Sequence, residues 1–87
     1  MMQTNDSTPP PGALLHLLYL AENGQLSERL IRLERADTTL FKGRDLIKEE
    51  FRSFRRERIY WTKNISDKNE YDDVFFRLWV RSCHNAP

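Results

Sequence analysis

The sequence predicts an all-α fold, a small three- to four-helix hairpin or bundle, and three observations predict it. Between Leu26 and Trp61 one register of alternating four- and three-residue steps collects Leu26, Leu30, Leu33, Leu40, Ile47, Phe51, Phe54 and Trp61, the spacing of one helical face. Near the C-terminus Tyr71, Val74, Phe75, Leu78, Trp79 and Ser82 recur in the same way. No alternating apolar and polar run bounded by hairpin turns stands out, which is what half-buried strands would show.

The elements follow in chain order. Residues 1–12 are polar and then proline-rich, with Pro9, Pro10 and Pro11 favouring extended polyproline II, so a flexible, disordered tail is expected there. A first helix is expected over 13–22, apolar nearly all round through Leu14, Leu15, Leu17, Leu18 and Leu20. Asn23-Gly24 would end it in the left-handed conformation that closes helices. Two helices are expected over 27–36 and 38–63, split where Asp37 precedes Thr38-Thr39 as an N-cap, because Asp37, Arg44 and Arg58 interrupt any continuous apolar seam. The last helix is expected over 70–84. Glu70, Asp72 and Asp73 lie in its first turns and Arg77, Arg81 and His84 later, in the sense the helix dipole favours. Residues 13–87 are thus read as a single helical domain.

Composition narrows the class of function. In a chain of 87 residues with 39% apolar and 31% charged residues, the core is thin, and roughly 60 to 65% of the unfolded surface can be buried. The ten aromatic rings, two Trp, three Tyr and five Phe, are its largest apolar groups. Fourteen basic and thirteen acidic residues leave a net charge of +1, so the molecule lacks the one-signed field of a nonspecific nucleic-acid binder. A single cysteine, Cys83, rules out a disulfide framework. Met1 to Gly12 carries an acid, no base and three prolines, unlike a signal peptide. The apolar run 13–21 is shorter than the roughly 20 residues a membrane span needs. An intracellular location, cytoplasmic or organellar, is the expectation.

No catalytic, cofactor-binding or metal site is expected. His16 and His84 are far apart, with Cys83 the only soft co-ligand near either, whereas zinc needs three or four converging ligands. Glu49-Glu50 and Asp72-Asp73 are adjacent carboxylates, which diverge on a helix, and Gly12, Gly24 and Gly43 are isolated from one another, so no phosphate loop forms.

The most unequal charge lies between Lys42 and Lys63, where Lys42, Arg44, Lys48, Arg52, Arg55, Arg56, Arg58 and Lys63 outnumber Asp45, Glu49, Glu50 and Glu57. On a helix, Arg44, Lys48, Arg52 and Arg55 would line one side. The partner-binding residues expected are therefore Arg52, Arg55, Arg56 and Trp61, a basic and aromatic face, with Phe75 and Trp79 as anchors of the last helix. Arginine and aromatic residues are enriched in protein interfaces. The same stripe could grip phosphates while Tyr60 and Trp61 stack on bases.

Gly43-Arg44-Asp45-Leu46-Ile47-Lys48-Glu49-Glu50-Phe51-Arg52 resembles the second-helix segment of the LYR-motif proteins, small three-helix mitochondrial factors that escort or stabilise respiratory-complex and iron–sulfur components. Leu18-Tyr19-Leu20 is similar to that family's Leu-Tyr-Arg but lacks its arginine. The resemblance covers ten residues and implies adaptor work without catalysis.

The function expected from sequence is a non-catalytic protein-interaction module, an accessory subunit, adaptor or inhibitor of a larger assembly. A helical nucleic-acid-binding regulator built on 42–63 is the alternative, and an LYR-like assembly factor the minor one. The partner expected is a larger protein or complex, with nucleic acid second and self-association left open.

Overall fold

The computed structural model describes residues 8–84, and it overturns the all-α expectation. Five antiparallel strands, β1 (Leu14–Leu20), β2 (Leu26–Ala36), β3 (Leu40–Asp45), β4 (Glu50–Arg55) and β5 (Ile59–Asn64), form one sheet in the order β4-β3-β2-β1-β5. A short 3-10 turn, η1 (Arg56–Arg58), joins β4 to β5, and one helix, α1 (Lys68–His84), closes the chain. The helices expected over 13–22, 27–36 and 38–63 are strands, and there is no helical bundle. Of the expected tail, residues 1–7 lie outside the described residues, while the Gly12 amide donates to the Leu33 carbonyl at 2.7 Å.

The helical reading failed for a physical reason. A strand buried on both faces reads as a continuous apolar run, which periodicity cannot separate from a buried helix. In β1, Leu15 and Leu17 point into one fully buried cluster with Ile31, Leu33, Phe41 and Phe54, while Leu14 faces a second cluster made by Leu30, Ile65, Val74 and Leu78. Arginine, glutamate and leucine dominate β2, and these residues favour helices in isolation; burial of the sheet overrides them.

The turn signals were real but served other turns. Asn23-Gly24 sits in the β1–β2 hairpin, where Gly24 takes φ +89° and Ala21 donates its amide to Gln25 at 2.9 Å. An Asn-Gly pair between apolar runs is equally a hairpin signal. Asp37 caps the β2–β3 turn: its carboxylate accepts the amides of Thr39 and Leu40, both at 2.8 Å. These bonds hold its carboxyl below the usual aspartate value. Asp45 caps the turn between β3 and β4, accepting the Ile47 and Lys48 amides at 3.0 and 2.9 Å. The stretch resembling the LYR-motif segment is therefore the end of β3, a turn and the start of β4, without the helix on which that resemblance rests.

The sheet curls strongly. In a flat sheet β1 and β4 would lie about 14 Å apart, three strand spacings. Here the Tyr19 and Phe54 rings meet edge-on with centroids 5.1 Å apart, and the Tyr19 hydroxyl accepts the Arg55 amide at 3.2 Å. The inner face is thus a small open barrel, which explains how Leu15, Leu17 and Ile31 reach zero exposure without a second sheet. α1 covers the outer face chiefly over β1 and β2, through Val74 and Leu78 against Leu30 and Leu14.

Candidate functional site

Alternation along the strands assigns each side chain to a face. On the outer face, β1 contributes Leu14, His16 and Leu18, paired with Arg32, Leu30 and Glu28 of β2. Glu28 is the hub that ties α1 to the sheet. Its carboxylate accepts His16 Nε2 at 2.9 Å, Arg77 Nη1 at 2.9 and 3.2 Å, and Arg81 Nη1 at 3.0 Å. Burial alone would raise its pKa, but the hydrogen bonds from Arg77, His16 and Arg81 override that and hold the carboxyl down at about 2. An ionised carboxylate only accepts, so His16 Nε2 must carry the proton. The Trp61 ring lies edge-on to the His16 imidazole at 4.8 Å.

The sign of the pH effect follows. The Glu28 carboxyl has a folded pKa below its free value of 4.5, so its contribution is complete above that value and is lost as pH falls toward 2. Discounting for the exposed ends of the two arginines, the hub contributes roughly 2 kcal/mol. Glu28→Gln should therefore lower the melting temperature by about 10 °C at neutral pH. It should also flatten the acid limb of stability, as read by circular-dichroism melts; an unshifted acid limb would mean the hub is energetically silent.

The structure scatters the expected basic face. Arg44 is in β3, Lys48 in the following turn, and Arg52 and Arg55 stand on opposite faces of β4, since they are three positions apart in a strand. Arg52 lies 3.7 Å from Glu50 and Arg55 3.4 Å from Glu57, both exposed pairs. Arg56 serves the fold: it donates to the Asp37 carbonyl at 2.8 Å and lies 4.9 Å over the Phe41 ring. Trp61 packs on His16 and remains half-exposed, Phe75 packs partly into the helix–sheet cluster, and Trp79 is 48% exposed.

Two other surfaces emerge in its place. Register pairs Arg32 with Arg44 and, beyond a bulge in β2, Arg35 with Lys42, while Arg44 pairs with Phe51 and Leu40 with Arg55. Arg32, Arg35, Lys42, Arg44 and Arg55 therefore share the half of the outer face that α1 leaves bare. Among the described residues the first four make no ion pair. Directly opposed like charges destabilise a sheet, and this face keeps two such pairs beside Phe51, which is 58% exposed. Arg32 and Arg35 escaped the sequence reading, and Phe51 was assigned to an apolar helical face, because a helical register separates what a period of two brings together.

The second surface is on α1. At 100° per residue, Tyr71, Val74, Phe75, Leu78 and Ser82 face inward, and Glu70, Arg77 and Arg81 form the flank that reaches Lys63 and Glu28. Phe76, Trp79 and Cys83 fall together on the remaining, outward side. Phe76 is 65% exposed, and Cys83 is a free, exposed thiol.

A groove of about 570 Å³ runs between the start of β2, the β3–β4 turn and the end of α1. Four of its charged side chains pair with one another: buried Asp45 accepts Arg29 Nη1 at 3.0 Å, and Glu28 accepts Arg81 Nη1 at 3.0 Å. Among the described residues no group of three His, Cys, Asp or Glu side chains converges to hold a metal, and no helix is long and apolar enough to cross a membrane.

Fold and surfaces together define a small domain in which one helix backs a curled, five-stranded antiparallel sheet. No protein-family model, curated protein or solved structure matches the chain.

Proposed function

We propose that this protein is a non-catalytic protein-binding module that docks through the outward side of α1. The observation that carries this reading is the exposure of Phe76 and Trp79, at 65% and 48%, on a helix whose inner side is already buried. Two aromatic rings held on a rigid helix offer large apolar area at little entropic cost, and tryptophan and arginine dominate the energetics of interfaces. Affinity capture from cells of the source organism, with the full chain and with Phe76→Ser/Trp79→Ser, tests it. The double variant should lose a stoichiometric protein partner on the order of tenfold or more while keeping its melting temperature. Equal recovery by both chains would remove α1 from the interface.

A nucleic-acid contact is the second reading, favoured by the unneutralised pairs Arg32–Arg44 and Arg35–Lys42 on one sheet face. Phosphates would relieve that repulsion, and binding would weaken steeply with salt. Nuclease treatment during the same capture separates the two: recovery abolished by nuclease moves the function to the sheet face.

A further inference from the structure

The bare face ends at an open sheet edge. Strand β4 pairs only with β3, from Leu40 with Arg55 through Asp45 with Glu50, so its other edge presents free backbone donors and acceptors. The barrel closes over only one end of this edge, where the Arg55 amide donates to the Tyr19 hydroxyl at 3.2 Å; the Arg56 amide, on the opposite edge, continues the β3 ladder by donating to the Thr39 carbonyl at 2.9 Å. From Glu50 to Phe54 the edge stays open, with neither proline nor bulge to blunt it.

We infer that this edge takes an extended, acidic segment of the partner protein as an added strand, with alternate carboxylates of that segment lying over Arg44 and Arg55 beside Phe51. The inference rests on the protein-binding reading above and gives the partner its chemistry. Along an added strand every second side chain falls on the outer face. That is where Phe51 and Arg55 project from β4, with Lys42 and Arg44 one strand further in and Arg32 and Arg35 beyond them. Carboxylates there would neutralise cations that now face one another across β2 and β3, and an apolar residue would cover Phe51. The arginines of β4 disfavour a second copy of the same strand, since self-pairing adds like charge to a face already in excess. The edge of β5 offers no comparable field: Lys63 is spent on Glu70 and Trp61 rests on His16. Added strands gain affinity from main-chain hydrogen bonds and specificity from alternate side chains, and both elements stand side by side here.

The probe is a blocked peptide of alternating glutamate and valine, about six residues long, the usual length of a strand. Titrated into the full chain and followed by amide NMR and calorimetry, it should shift the amide signals of β4 and newly protect those of Phe51 and Ser53, the two that face away from β3. A peptide N-methylated at every second residue, and the Arg32→Glu/Arg44→Glu chain with unchanged circular dichroism, should each bind on the order of tenfold more weakly. Equal affinity of the N-methylated peptide, or of an all-glutamate peptide, would reduce the effect to charge and overturn strand addition. Binding of an oligothymidylate to the same residues, with none by the peptide, would assign the face to nucleic acid. If no peptide binds while capture through α1 still yields a protein, this inference fails and the broader reading stands.

Discussion

Phe54→Ala is expected to cost about 4 kcal/mol, the usual loss for a large aromatic deleted from a core. Phe54 is 2% exposed and pairs with Phe41 across β3 and β4. It also meets Tyr19 of β1 edge-on and lies 6.0 Å beneath the Arg29 guanidinium. The ring is thus the contact through which the first and fourth strands meet inside the curl. Small domains are stable by only about 5 to 15 kcal/mol, so urea or thermal melts should find the variant close to unfolding. Phe51→Ala, the same residue type on the same strand but 58% exposed, should cost less than about 0.5 kcal/mol. Similar losses from the two substitutions would show that the curl does not depend on the inner ring.

Gly43→Ala is expected to be of comparable severity, above about 3 kcal/mol, although it adds one methyl group. A Cβ at this position would stand 2.4 Å from the Arg32 carbonyl oxygen and 3.1 Å from the Leu33 Cα. Both are backbone atoms of the neighbouring strand, so the collision cannot be relieved by a side-chain rotation, and β3 must leave β2. Gly24→Ala is the control: a Cβ there meets nothing within 4 Å, and only the positive φ is penalised, by about 1 kcal/mol. Denaturant midpoints of the two variants measure the difference, and equal midpoints would show that β2 and β3 part around the added methyl at little cost.

Legibility from sequence followed burial geometry. The last helix was readable, expected over 70–84 and found as Lys68–His84, because one side of it is apolar and the rest polar or exposed. β1 was unreadable as a strand because Leu15 and Leu17 serve the barrel interior while Leu14 serves the helix interface. β2 obscured itself further, since its bulge breaks the two-residue period between Leu33 and Arg35. Asp37 and Asn23-Gly24 were recognised as chain-reversal chemistry, yet the turns they make join strands. The same exchange of period decided the surface. Trp79 was visible on a true helix, whereas the basic residues of 42–63 were placed on a helical stripe that the strands dissolve. Arg32 and Arg35, outside that stretch, complete the face only through cross-strand register.

The exposed cysteine gives the outward side of α1 an experimental use. Cys83 is the single thiol in the chain, it is free, and it stands one helical turn beyond Trp79 on the side that carries Phe76. A maleimide fluorophore therefore attaches at one position without any substitution. Its emission would report, in the native sequence, whether that side of the helix is open to water or occupied.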